Sequence, residues 1–91
     1  MKSNINKLLK KHEALIHSDN LKVLSHVQRD TDDWIINTLM IEDCNTPFKY
    51  KRKTRYKNLK GQRVNLTYYR ANERVAGFEM EIMNVVRIKI A

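Results

Sequence analysis

Phe78-Glu79-Met80-Glu81-Ile82-Met83-Asn84-Val85-Val86-Arg87-Ile88-Lys89-Ile90 is the stretch on which the fold turns. Phe78, Met80, Ile82, Val86, Ile88 and Ile90 share even parity, interrupted only at Asn84. Glu79, Glu81, Met83, Val85, Arg87 and Lys89 occupy the alternate positions. A period of two is the signature of a strand with one buried face. At about 3.3 Å per residue this strand would run roughly 43 Å, longer than a domain of this size holds straight. It has to bend, and Asn84 is the expected place for a bulge. Small barrels use a long, bent strand of this kind, shared between two halves of a curled sheet. If the even-numbered face is core, Ile82→Ala and Ile88→Ala should each cost about 2–5 kcal/mol.

The preceding segment, Gln62 to Arg70, alternates in the same way. Val64, Leu66 and Tyr68 point one way and Asn65, Thr67 and Tyr69 the other. Bringing apolar faces together predicts Tyr68 opposite Phe78, Leu66 opposite Met80 and Val64 opposite Ile82. That parity requires a connection of three or five residues centred on Glu73 rather than a two-residue turn. It also sets Tyr69 across from Gly77, read as a strand kink, while Gly61 is read as a turn residue.

Earlier strands are shorter. Phe48, Tyr50 and Arg52 alternate with Lys49, Lys51 and Lys53 behind Pro47, which predicts a basic, proline-bounded edge strand with one aromatic face. Trp34 to Ile41 is β-branched and aromatic enough for a strand. Its expected partner lies in residues 21–29, where Leu21, Val23, Ser25 and Val27 alternate. Leu24 breaks that period, and a short helix capped by Ser18 also fits. The turn-forming run Asp30-Thr31-Asp32-Asp33 favours the strand. At the N-terminus, Ile5, Leu8, Leu9, His12, Leu15 and Ile16 follow helical spacing, which predicts an amphipathic helix over residues 1–18, capped by Ser3 or Asn4.

The expected fold class is therefore α+β. One N-terminal amphipathic helix packs on a strongly bent antiparallel sheet, or on a small OB-like or SH3-like barrel, of four to five strands. With two glycines, one proline and no repeat or linker, residues 1–91 read as a single domain. The apolar share of 42% is enough for a core. The lone cysteine, Cys44, excludes an internal disulfide framework and a cysteine-based zinc cage. No apolar run exceeds three residues, so no membrane span is expected, and a cytoplasmic location is the expectation.

Charge carries the functional signal. The chain has a net charge of +8, yet no acidic residue lies between Asp43 and Glu73. That window holds Lys49, Lys51, Arg52, Lys53, Arg55, Lys57, Lys60, Arg63 and Arg70, so the remainder of the chain is slightly acidic. Phe48, Tyr50, Tyr56, Tyr68 and Tyr69 fall in the same window. A focused cationic block attracts polyanions, and exposed tyrosines offer faces on which bases stack. The reading is a small basic binding module without enzymatic activity, its partner a nucleic acid (RNA favoured, or other single strands) or another polyanion. Tyr50, Tyr56 and Tyr69 are the candidate stacking residues, with Tyr68 expected in the core. The nine cations of the block complete the candidate site.

The same residues also suit a plain solvated strand whose cations keep it soluble. A second functional class is a protein-interaction or dimerisation domain. A third is a metal-independent ribonuclease built from Tyr50, Lys51, Arg52, Tyr69 and Arg70. No catalytic residue, cofactor or metal site is predicted. His12 and His17 are five apart, off the spacing of paired helical ligands. Asp30, Asp32 and Asp33 read as a solvated turn, and Cys44, flanked by the acidic Glu42 and Asp43 with no histidine paired to it, is not expected to be a nucleophile. There is no glycine-rich phosphate loop and no nucleophile elbow.

Overall fold

The computed structural model describes residues 15–91. Five strands, β1 (Ile16–Asp30), β2 (Ile35–Ile41), β3 (Phe48–Arg52), β4 (Arg63–Val75) and β5 (Phe78–Ile90), close into a barrel in the order β1-β2-β3-β5-β4. Every pairing is antiparallel except that of β3 with β5. This small closed barrel is consistent with the OB/SH3-like class. The described residues contain no helix. The helix expected over residues 1–18 falls almost wholly outside them, but its last residues do not. Ile16, His17 and Ser18 are strand, paired with Tyr68, Thr67 and Leu66. Pairing there satisfies backbone groups that a helix end leaves open, and it packs Ile16 against the core.

β1 closes the barrel by serving two neighbours, β4 with its first half and β2 with its second. Two register shifts let it bend. One lies between Ser18 and Leu21, where Asn20 takes a φ of 60°. The other lies between Val23 and Ser25. Leu24, which breaks the alternation of residues 21–29, is the extra residue of that second bulge and points out at 48% exposure. Residues 21–29 are thus strand.

The core is built from alternate residues. Val23, Leu39, Ile41, Phe48, Val64 and Leu66 are each at most 2% exposed. The rings of Phe48 and Tyr68 meet edge to face with centroids 4.8 Å apart. Leu59, from the β3–β4 connection, is buried with them. A polar network fixes that connection. The Leu59 N–H donates to Nδ1 of buried His26 (2.9 Å), so the ring proton sits on Nε2, which donates to Asn37 Oδ1 (2.7 Å). Asn37 Nδ2 in turn donates to the Ile35 carbonyl.

β5 departs from its expected register. Val64 pairs with Ile90, Leu66 with Ile88 and Tyr68 with Val85, whereas Phe78 pairs with Val75. The turn is two residues, Ala76-Gly77, with φ of 50° and 85°, and not a longer connection centred on Glu73. Gly77 is therefore a turn residue, and Tyr69 lies opposite Asn84 instead. The bulge sits at Val86, two residues past Asn84, where Thr67 pairs with Arg87 and Tyr68 with Val85. It resets the parity. Met83 and Val85 face the core before it and Ile88 packs on the core after it, while Phe78, Met80 and Val86 are 50% exposed or more. The even-numbered face is thus not one core face. Ile82 lies on the outer side and Ile88 on the inner.

Two further consequences position the site. β3 is not an edge strand. It pairs with β2 along its length, but it meets β5 only at Phe48–Met83 and Lys49–Asn84. Beyond that short seam the two strands part. At the other end, the described pairing of β1 with β4 runs as far as Ile16–Tyr68, and among the described residues the hairpin from Ala71 to Ile82, a two-stranded arm, pairs only with itself.

Candidate nucleic-acid interface

The parting of β3 and β5 opens a cleft. One strand wall is Tyr50, Lys51, Arg52 and then Lys53, and the other is Val85, Val86, Arg87, Ile88 and Lys89. Two adjoining hollows of about 400 and 380 Å³ share Tyr50, Arg52 and Ile88. Trp34, from the β1–β2 connection, borders one, and Tyr56, from the β3–β4 connection, borders the other. No acidic residue lines either. Five cations and three aromatic rings thus line the two hollows, and Arg87 and Lys89 also border a third beside Asp19.

The local chemistry is that of a cation–aromatic surface. The Arg52 guanidinium lies 5.5 Å from the Tyr50 ring centroid, and Lys53 Nζ lies 4.5 Å from that of Trp34. Tyr50 is half-buried and packs on the core. Burial pushes its hydroxyl pKa up from the ordinary value, against an opposing pull from Arg52. The phenol, like an ordinary tyrosine, keeps its proton near neutrality. Tyr56 is 56% exposed, and its backbone is clipped to β1: its N–H donates to Gln28 Oε1 and its carbonyl accepts from Gln28 Nε2.

The block of cations expected from the sequence is divided by the fold. Lys51, Arg52 and Lys53 line the cleft. Lys49 lies on the outer barrel wall, 2.9 Å from Glu73 of the arm. Arg55 is paired with Asp30 at 2.8 Å, an exposed contact that contributes little stability. Lys57 and Lys60 are exposed on the connection that carries Tyr56. Arg63 donates to the Asn20 carbonyl, away from the cleft lining. Tyr69 and Arg70 also lie apart from it: the Tyr69 hydroxyl accepts from Asn84 Nδ2 at 2.6 Å, and Arg70 is exposed at the base of the arm.

No protein-family model, no curated protein and no solved structure matches this chain.

Three residues of the cleft carry no signal in the basic block itself. Trp34 stands well before it, and Arg87 and Lys89 stand after it on a strand that also carries Glu79 and Glu81. The signal that finds them is parity once the bulge is placed, because Arg87 and Lys89 then share an outward face beside β3. Among the described residues, no three His, Cys, Asp or Glu side chains gather where a metal ion could bind.

Proposed function

We propose that the chain is a non-enzymatic module that binds single-stranded nucleic acid in the cleft between β3 and β5. The observation that carries this reading is the lining itself: Lys51, Arg52, Lys53, Arg87 and Lys89 with Trp34, Tyr50 and Tyr56, and no anion among them. Lys and Arg neutralise phosphates, while flat rings accept any base face, so such a groove suits single strands better than a stacked duplex. The strand order, with β1 shared between β2 and β4, supports the OB-like variant of the barrel, a class that often binds oligonucleotides over β2–β3 and nearby loops. Fold alone does not give function, and the lining is the stronger argument. The raised Tyr50 pKa counts against Tyr50 as the base of a ribonuclease reaction.

The test is fluorescence anisotropy of labelled single-stranded RNA, single-stranded DNA and duplex DNA as a function of salt, with polyglutamate as competitor. Five phosphate contacts at about 0.7 each give a log–log salt slope of roughly −3.5 on single strands. Replacing Lys51, Arg52 and Lys53 together with Ala should flatten the slope by about 2. Equal binding to every polyanion, abolished at physiological salt, would reduce the cleft to a solvated surface.

A further inference from the structure

We infer that the third hollow, on the outside of β1, β4 and β5, holds a ribose of the bound strand, and that Asp19 accepts its 2′-hydroxyl, so that the protein selects RNA over DNA. This inference rests on the cleft reading. The hollow measures about 180 Å³, less than half of either cleft hollow. Two cross-strand rows build it. His17, Thr67 and Arg87 are successive partners across β1, β4 and β5. In the next row Asn65 pairs with Lys89, and the β1 bulge sets Asp19 and Asn20 against Asn65. Most of these groups are tied down. His17 Nδ1 and the Thr67 hydroxyl lie 2.8 Å apart, and Asn65 Oδ1 accepts from the Asn20 N–H at 2.9 Å. Asp19, by contrast, is exposed and makes no ion pair among the described residues. Two strand spacings, about 9–10 Å, separate β1 from β5, so the carboxylate and the two cations stand on opposite sides of the hollow.

The lining specifies the ligand. No Phe, Tyr or Trp borders this hollow, so it offers a base no broad face on which to stack. Arg87 and Lys89 repel a metal ion and attract a phosphate. Asp19 does the reverse. Its carboxylate only accepts, so a phosphate beside it is unfavourable unless the ligand also brings a hydroxyl donor. A sugar phosphate carries both groups. Arg87 and Lys89 also border the cleft, so a strand that leaves the cleft across β5 takes its backbone past them and its next sugar into the hollow. RNA presents a 2′-hydroxyl there, whereas DNA leaves the carboxylate facing phosphates with nothing to accept. The choice of sugar is thus made outside the cleft, by a residue that lies far from the basic block in sequence.

Fluorescence anisotropy at one salt concentration tests this with labelled oligouridine as RNA, as its 2′-fluoro analogue and as oligodeoxyuridine. The 2′-fluoro strand keeps the ribose pucker but has no hydroxyl to donate. The unmodified chain should bind RNA about tenfold more tightly than either analogue, the worth of one hydrogen bond to a charged group. Asp19→Ala should abolish that preference, chiefly by tightening the two analogues, with the circular dichroism of the barrel unchanged. Glu42→Ala removes an exposed carboxylate elsewhere and should strengthen all three alike. If Asp19→Ala also strengthens all three alike, Asp19 is surface charge alone and the inference is overturned. Equal affinity of the unmodified chain for RNA and its analogues would overturn it while leaving the cleft reading standing. No binding of any strand would overturn both. Displacement of the RNA by micromolar uridine monophosphate would also overturn it, because the hollow would then serve a free nucleotide.

Discussion

Met83 and Val85 face the barrel core at 9% and 7% exposure, while Phe78 and Met80 on the same strand stand at 74% and 50%. The sequence pattern of β5 does not distinguish the two regions, since both alternate and both are rich in large apolar residues. What separates them is company. Met83 and Val85 lie between β4 and β3 and pack in the core cluster, whereas, among the described residues, 78–82 pair only with the facing strand of the hairpin. A strand's alternation therefore establishes that it has two faces. Which face is buried depends on the third element that covers it.

That contrast can be broken or sharpened by substitution. The largest effect is expected inside the barrel, where Leu39→Ala or Leu66→Ala, at positions no more than 2% exposed, should cost about 2–5 kcal/mol in urea denaturation. His26→Leu comes next. It keeps bulk but leaves the Leu59 N–H and Asn37 Oδ1 without partners, at about 1–3 kcal/mol for each group. A loss below about 1 kcal/mol would mean that water replaces the ring and that the β3–β4 connection does not depend on it. A smaller effect, of opposite sign, is expected at the turn. Ala76 holds a φ of 50°, which suits Asn better than Ala, so Ala76→Asn should raise stability by about 0.5–1 kcal/mol. Least of all, Phe78→Ser should change the stability of the chain by no more than about 0.5 kcal/mol. A loss as large as that of Leu39→Ala would show the arm folded into the core.

Much of the barrel is legible in the residues. The strands over Trp34–Ile41, Phe48–Arg52 and Gln62–Arg70 follow from β-branched composition, Pro47 and alternation, and Val64, Leu66 and Tyr68 face inward as expected. The errors share one cause. The start of β1 is hidden because Asn20 resets its parity, which leaves Leu15 and Ile16 to be read with the helical spacing before them, while residues 21–29 read as strand despite the break at Leu24. The β5 register fails because Val86 resets parity within an apolar run, and because Ala76 gives no sign of a turn beside Gly77. Extra residues in strands are set by how the barrel closes, and that information lies in the neighbouring strands. The candidate site divides on the same line. The three consecutive cations Lys51, Arg52 and Lys53 are visible as a block, but their juxtaposition with Arg87 and Lys89 requires the parallel β3–β5 seam.

That juxtaposition is the central claim, and the pair from β5 tests it most directly. The measurement is the salt dependence of single-stranded RNA binding for the chain carrying Arg87→Gln and Lys89→Gln. Loss of two phosphate contacts should flatten the log–log slope by about 1.4 and weaken binding on every sequence alike. A slope equal to that of the unmodified chain would contradict the account, because RNA would then be held by the basic block without the strand that faces it across the cleft.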